Sequence, residues 1–151
     1  MTHFAVLFAT LIHDVDHSGV SNGQRGVEEP HLAATYKEKS IAEQNSIDLA
    51  WNELSLSKYA NLRQCLFATN DELTRFRQLT VNLVMATDIF EKDMKALRSR
   101  RWDKAFHRDA VPSERRFTPC SLEEDKNMKA TIVIEHIVSV AAGERGHHCA
   151  C

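Results

Sequence analysis

Long hydrophobic runs are missing from this 151-residue sequence. The longest one, residues 4–12, is far shorter than the roughly 20 apolar residues that a membrane-spanning helix needs. It leads into His13 and Asp14 rather than into a small-residue cleavage site, so a signal peptide is not expected either. We therefore expect a cytoplasmic location, or the cytosolic face of a membrane if this chain belongs to a longer protein.

Disulfide spacing and a strong charge of one sign are missing as well. The four cysteines follow no framework pattern, which predicts reduced thiols. A formal net charge of −2 gives no overall attraction to nucleic acid or to anionic lipid. Acidic neighbours dilute the basic run of residues 98–104, which we interpret as a solvated helix face that binds no nucleic acid. Function must therefore come from local chemistry.

Strand patterns are also lacking, whereas helical periodicity is abundant. The apolar residues of segment 4–12 surround the helix axis almost completely, which predicts a buried first helix. Residues 18–30 contain three glycines and many polar residues, which predicts a loop. An S-x-x-E capping box formed by Ser40 and Glu43 predicts the start of a second helix.

The helical pattern continues beyond residue 56. A short helix is expected near residues 59–67, and a capping box over residues 69–72 begins the most regular pattern of the chain. Apolar or small residues recur from there to Leu97, which predicts one long core helix. Pro112 and Pro119 bracket a polar connector, and a last helix is predicted over residues 121–143. The predicted fold class is all-α, a multi-helix bundle.

Four potential metal or proton ligands follow the first apolar helix directly, in the sequence H-D-V-D-H of residues 13–17. At a helix end, His13 and His17 share one face at i, i+4, and Asp14 lies beside His17. Imidazole nitrogen and carboxylate oxygen together suit zinc, iron, manganese or magnesium. The alternative is a helix C-terminus whose histidines complement the dipole and whose aspartates cap the loop. The apolar helix before the cluster favours a metal site.

Residues 13–22 closely resemble the H-D-V-D-H-P-G-x-x-N segment of the class I cyclic nucleotide phosphodiesterases, with Ser18 at the usual proline position. Two further stretches resemble motifs of that family in the same order. Residues 36–44 are similar to Y-x-x-x-S-[VI]-x-E-x, and residues 84–88 are similar to V-L-A-T-D. The resemblance implies an all-α fold of the HD type, incomplete here, with a partial catalytic domain over residues 1–137.

The resemblance also implies an activity and its cofactors. The expected reaction is hydrolysis of cAMP, cGMP or both to 5'-monophosphates by a two-metal hydroxide mechanism. His13 and Asp14 would bind metal directly, and Asp14 would be shared between Zn²⁺ and a second ion, Mg²⁺ or Mn²⁺. Two metals suit this reaction because they lower the pKa of water and neutralise charge on the reacting oxygens.

Further site residues follow from the same resemblance. Catalytic roles are implied for His17, Glu43 and Asp88 besides Asp14, and supporting roles at the cofactors for Asp16 and Thr87. Asp16 and His17 would orient ligands and water, and Glu43 would hydrogen-bond water on the second ion. Thr87, with Asp88, would do similar work, although the hydroxyl of Thr87 could equally bond back to its own helix.

The sequence departs from the family pattern at both ends. The H-N-x-x-H-A motif that supplies the leaving-group acid and another metal-binding histidine is absent, and no aspartate follows Asp125. Residues 138–151 form a divergent tail that we expect outside the fold, and a shifted reading frame or a retained intron is a hypothesis for its origin. Its final residues, 147–151, have soft metal ligands that we interpret as adventitious. Weak metal binding and impaired turnover are expected.

Three functional interpretations remain open at this level. The first is the cyclic nucleotide phosphodiesterase, as a homodimer or joined to other signalling domains. The second is a catalytically inactive helical module that regulates or oligomerises and keeps a partial metal site. The third is another HD-type phosphohydrolase, which the match beyond the first His-Asp pair disfavours.

Overall fold

The computed structural model describes residues 2–90, 92–106 and 119–146. Within these ranges every regular element is helical, so the predicted all-α class is confirmed. The elements are α1 (Thr2–Ile12), α2 (Asn22–Glu28), α3 (Pro30–Tyr36), α4 (Ile41–Ser55), a 3-10 turn (Ser57–Tyr59), α5 (Ala60–Leu66), α6 (Asn70–Met85), α7 (Lys92–Phe106) and α8 (Pro119–Gly146). The chain divides into two units, Met1–Asp88 and Ile89–Cys151. Across the described ranges, no helix is both long enough and apolar enough to cross a bilayer.

The core of the first unit lies where α1 packs along α6, around the side chain of Phe76. Phe76 is fully buried, and four aromatic rings surround it at centroid distances of 4.9–6.2 Å, those of Phe4, Phe8, Trp51 and Phe67. Such aromatic pairs stabilise by about 0.5–1.5 kcal/mol each beyond the area that they bury. The cluster fixes the direction of α1 and thereby the place at which residues 13–17 leave it.

The prediction that α1 is buried on every side is wrong. Ala5, Ala9 and Ile12 are buried against the core, but Leu7 and Leu11 are 69% and 77% exposed. Small residues face α6 because they allow a close approach, and the larger leucines lie on the opposite face. A segment that is apolar all round carries no periodic signal for the face that is buried.

The single long helix predicted as far as Leu97 is two helices. α6 ends at Met85, where the last turn tightens, because the backbone amide of Thr87 bonds to the carbonyl of Val84 at 3.0 Å. The hydroxyl of Thr87 donates to the same carbonyl at 2.6 Å. Asp88 follows in non-helical backbone, and α7 begins four residues later. The break places the T-D pair in a turn that closes the first unit.

The two predicted capping boxes have different outcomes. At the start of α6, the hydroxyl of Thr69 accepts from the amide of Glu72 at 3.2 Å, as predicted. At the start of α4, Ser40 has a left-handed backbone (φ 41°), and its side chain makes no capping bond. The side-chain oxygen of Asn22 caps α4 instead, because it accepts from the amide of Ala42 at 2.8 Å.

The loop predicted over residues 18–30 contains helix α2 and the first residue of α3, so this prediction is wrong in part. Ser21 caps α2 by accepting from the amide of Gln24, and Pro30 occupies the first turn of α3. Gly26 lies inside α2 at a position where a Cβ would approach the Cδ1 atom of Ile41 to 3.2 Å, which favours glycine there. Gly26 therefore reflects the close packing of α2 on α4, whereas Gly19, with φ 81°, reflects turn geometry.

The second unit contains α7 and α8, which pack on each other. Arg101 donates from Nη1 to Oε2 of the buried Glu135 at 2.7 Å, and the ring of Trp102 lies 4.8 Å from that of His136. The last helix was predicted over residues 121–143, and α8 extends it at both ends. Pro119, predicted as the end of the connector, is the first residue of α8. The rest of the connector and the ligand-rich residues 147–151 lie outside the described residues.

Candidate functional site

The imidazole of His13 is held at the C-terminal end of α1 by the backbone. Its Nδ1 atom lies 2.8 Å from the carbonyl oxygen of Thr10, which can only accept, so Nδ1 carries a proton. Its Nε2 atom lies 2.9 Å from Oδ2 of Asp14. The His13 side chain is 16% exposed and that of Asp14 is 66% exposed. The two predicted ligands therefore converge at the edge of the site, with the carboxylate toward solvent.

A second group of predicted site residues meets around Asn22. The amide nitrogen of Asn22 donates to Oε2 of Glu43 at 3.0 Å and to Oδ2 of Asp88 at 3.3 Å. A carboxamide nitrogen has two hydrogens, so one Asn22 side chain can serve both carboxylates. Its oxygen is meanwhile held by the amide of Ala42, which fixes the orientation of the side chain. The structure thus joins α2, α4 and the turn after α6 at one residue.

The electrostatics of this group raise the pKa of Glu43. Burial is the largest cause, and the negative charge of Asp88 acts in the same direction. The hydrogen bond from Asn22 and the charge that His17 carries when protonated oppose the rise. His17 is therefore close enough to Glu43 to influence its proton affinity.

The remaining predicted residues take different positions. His17 accepts from the amide of Gly19 through Nδ1 at 2.9 Å, which leaves Nε2 to carry the proton of the neutral ring. The hydroxyl of Thr87 bonds back to Val84, so only its oxygen lone pairs remain for another partner. Asp16 accepts from Arg25 and Asn45 through one oxygen, Oδ2, at 2.9 and 2.8 Å.

The donor set fits a divalent ion in kind and partly in number. With the proton on Nδ1, a neutral His13 ring has its lone pair on Nε2, which faces Oδ2 of Asp14 at 2.9 Å. Two acceptor atoms at this distance repel unless a proton or a cation lies between them, so a metal ion bound here would take the place of that proton. Among the residues that the structure describes, no three His, Cys, Asp or Glu side chains gather as a ligand group. His13 and Asp14 could supply two ligands, and Glu43 with Asp88 could supply charge nearby.

Sequence reasoning missed four polar residues that organise the site. Asn22 ends the matched segment of residues 13–22, so that motif contained the signal for it. Arg25, Asn45 and Ser46 are buried polar residues of α2 and α4 that contact residues 15 and 16. Nothing in their local sequence distinguishes them from surface residues, because burial of a polar side chain depends on the packing of distant segments.

Comparison with known proteins places these features in a family. Residues 1–141 match the family model described as 3'5'-cyclic nucleotide phosphodiesterase. The mouse dual specificity calcium/calmodulin-dependent 3',5'-cyclic nucleotide phosphodiesterase 1C is 30% identical over 86 residues, which are 57% of this chain and 12% of the mouse protein. The probable 3',5'-cyclic phosphodiesterase pde-6 of Caenorhabditis elegans is 35% identical over 85 residues, 56% of this chain and 11% of that protein.

The fold has solved counterparts. The phosphodiesterase domain of Salpingoeca rosetta rhodopsin phosphodiesterase superposes with a TM-score of 0.65 at 22% identity, and the match covers 91% of this chain and 38% of that chain. This chain thus spans a small part of the curated relatives and less than half of the solved domain. The structural likeness shows the fold, and the family-model match covers most of the sequence. The chain belongs to the 3',5'-cyclic nucleotide phosphodiesterase family.

Proposed function

We propose that this chain contributes to hydrolysis of 3',5'-cyclic nucleotides, cAMP or cGMP, to 5'-monophosphates. The observation that carries the proposal is the pair of carboxylates, Glu43 and Asp88, that Asn22 holds beside the segment of residues 13–17. A cyclic phosphodiester is an anion, and two carboxylates alone would repel it. The pair of carboxylates therefore makes chemical sense only if cations are bound in the same site. We propose that His13 and Asp14 bind those cations.

His13 and Asp14 would hold Zn²⁺ together with Mg²⁺ or Mn²⁺. Bound divalent ions supply Lewis-acid activation of water and neutralise charge on the phosphoryl oxygens. The carbonyl of Thr10 keeps the proton on Nδ1 of His13 and so keeps Nε2 available for a ligand role. Two protein ligands hold an ion less firmly than three or four, so we expect weak binding and slow turnover.

The residues around Asn22 would bind water and transfer protons. Glu43 is partly buried beside Asp88, and its raised pKa makes it a better proton acceptor than an ordinary carboxylate. His17 can donate from Nε2 while Nδ1 is held by the amide of Gly19. Asp88 accepts from the same amide group as Glu43 and fixes the position of both. Thr87 would offer its oxygen as an acceptor, and Asp16 would act on the position of residues 13–17.

Turnover of cAMP and of cGMP with added Zn²⁺ and Mg²⁺ or Mn²⁺ tests the proposal. Release of 5'-monophosphate is measured for the wild type, for Asp14→Ala and for Asp71→Ala, an exposed aspartate in the first turn of α6 that serves as control. We expect slow, metal-dependent hydrolysis that Asp14→Ala abolishes and Asp71→Ala retains. Equal rates in all three proteins would contradict the proposal.

A catalytically inactive module that regulates or oligomerises is a second candidate function. The lack of a three-ligand group in the described part of the chain favours it, as does the 66% exposure of the Asp14 side chain. Self-association measured by sedimentation, without hydrolysis at any metal concentration, would select this candidate. Metal-dependent hydrolysis that requires Asp14 would exclude it.

A further inference from the structure

Arg25 is the most deeply buried charged side chain of the first unit among the described residues, with 1% of its surface exposed. It lies on α2 and donates from Nη2 to Asp16 at 2.9 Å and from Nε to Glu29 at 3.2 Å. Its Nη1 atom has no hydrogen-bond partner within the described ranges. A buried guanidinium with an unmet donor stabilises a fold poorly, because its desolvation penalty is incompletely offset. Its position calls for a role other than stability.

The partner of Arg25 in the site segment has an unusual backbone. Asp16 has φ 60°, in the left-handed region that residues other than glycine rarely adopt. One oxygen of its carboxylate accepts from Arg25 on α2 and from Asn45 on α4. Charge-assisted bonds of this kind are roughly twice as strong as neutral ones and can hold a strained conformation. The two helices thus fix Asp16 from two sides.

A second attachment lies one residue earlier. The fully buried hydroxyl of Ser46 donates to the carbonyl of Val15 at 2.6 Å. Ser46 follows Asn45 on α4, so both bonds tie residues 15 and 16 to the same turn of that helix. His13, Asp14 and His17 flank this tied pair and make their own contacts at the edge of the site. Movement of residues 15 and 16 would therefore displace the flanking side chains.

We propose that Arg25 is a positioning residue that acts through Asp16 to hold His13 and Asp14 in the arrangement that binds a divalent ion. The inference rests on the proposed function, because it assumes that these two residues are ligands. Arg25 reaches no reacting group itself. Without it, Asp16 loses its strongest partner, and the left-handed turn between Asp14 and His17 loses the contact that offsets its strain.

Zn²⁺ titration followed by the ¹⁵N NMR signal of His13 Nε2 separates positioning from stability. Arg25→Met keeps an unbranched side chain of similar length but is apolar, so it removes both ionic bonds. Arg25→Lys keeps the positive charge. Arg63→Met is the control, because Arg63 also donates two side-chain bonds, one half-buried to the carbonyl of Leu54 and one exposed to that of Leu56. These bonds lie at the end of α4 and do not hold the site segment.

We expect Arg25→Met to weaken Zn²⁺ binding at His13 by about 10–100-fold, as loss of a group that orients metal ligands generally does. Arg25→Lys should weaken Zn²⁺ binding less than Arg25→Met does. Arg63→Met should lower the free energy of unfolding and leave the Zn²⁺ affinity unchanged. If Arg25→Met does not fold, Asp16→Asn weakens the same ion pair at its exposed partner, and asparagine tolerates the left-handed backbone. This variant should also reduce the Zn²⁺ affinity.

Two results would overturn the inference. The first is an unchanged Zn²⁺ affinity in Arg25→Met, or in Asp16→Asn if Arg25→Met does not fold, together with loss of binding in Asp14→Ala. That result would leave the proposed function standing. The other is an equal loss of affinity in Arg25→Met and Arg63→Met, which would show an effect of stability alone. Wild-type binding in Asp14→Ala would instead contradict the proposed metal site, and the inference would fall with it.

Discussion

Glu43 and Asp88 accept hydrogen bonds from the same amide nitrogen, that of Asn22, at 3.0 and 3.3 Å. The two carboxylates come from α4 and from the turn after α6, so the contact closes the first unit around the site. Burial raises the pKa of Glu43 most, the negative charge of Asp88 raises it further, and the hydrogen bond from the Asn22 amide opposes that rise. One neutral side chain thus holds together two like charges, an arrangement that a bound cation would favour further.

Replacing Asn22 tests this relationship. Asn22→Ala removes the bond that lowers the pKa of Glu43 and leaves Asp88 in place, so the pKa of Glu43 should rise further. The free energy of unfolding should fall by about 1–3 kcal/mol, because the α4 amide that Asn22 caps also loses its partner. The ¹³C NMR titration of the Glu43 carboxyl measures the first effect and denaturant unfolding the second. Asn52→Ala, at an exposed position of α4, is the control; an unmoved Glu43 pKa would contradict the account.

Glu43→Gln should change the pH dependence of the free energy of unfolding. The folded-state pKa of Glu43 lies above its ordinary value of 4.5, so the folded protein binds the proton more tightly than the unfolded chain does. The free energy of unfolding of the wild type should therefore fall as pH rises from about 4.5 through the raised pKa.

The Gln variant lacks this titration and should be the more stable protein at neutral pH, with the difference shrinking in acid. Thermal unfolding at a series of pH values provides the measurement. A Gln variant that is less stable than the wild type at pH 7 and equal to it at pH 4 would show that ionised Glu43 stabilises the fold, contrary to this prediction.

Phe76 should dominate the stability of the first unit. Phe76→Ala removes a fully buried ring that four other aromatic rings contact, so we expect a loss of about 3–5 kcal/mol in the free energy of unfolding. Leu62→Ala, at a half-exposed position of α5, should change it by less than about 0.5 kcal/mol. Denaturant unfolding compares the two. Similar effects from both substitutions would place the core elsewhere.

The ion pair of the second unit should respond asymmetrically to mutation. The Glu135 side chain is 4% exposed and that of Arg101 is 34% exposed. Arg101→Ala leaves a buried carboxylate unpaired and should destabilise α7 and α8 by about 3–5 kcal/mol. Glu135→Ala leaves a cation that water can reach and should cost less. Hydrogen exchange of the α7 and α8 amides measures both, and a larger effect from Glu135→Ala would contradict this explanation.

The sequence predicted those site residues that lie in contiguous motifs. His13 and Asp14 were found because four ligand types follow one apolar segment, and Glu43 and Asp88 because each belongs to a short stretch that resembles the family. Their roles in metal binding and catalysis remain predictions. Arg25 could not be found in this way, because an arginine in a polar stretch is usually exposed, and only the packing of α2 against neighbouring segments buries it.

The limits of the fold prediction have similar physical causes. The break after Met85 lies inside an apolar pattern that continues to Leu97, so periodicity alone cannot show it. The turn depends on backbone bonds to Val84 and on the side chain of Thr87. In α1, apolar residues on every face conceal that Leu7 and Leu11 are exposed. Helix type was predictable from local pattern, whereas helix ends and buried faces depended on contacts between distant segments.

Paramagnetic broadening by Mn²⁺ tests the central claim most directly, namely that His13 and Asp14 hold a divalent ion beside Glu43 and Asp88. Amide signals of the wild type are recorded during a Mn²⁺ titration and compared with those of Asp14→Ala. We expect the signals of residues 13–22, 43 and 88 to broaden first in the wild type, and we expect Asp14→Ala to require far more Mn²⁺ for the same effect. Broadening that starts elsewhere, or that is identical in the two proteins, would contradict this claim.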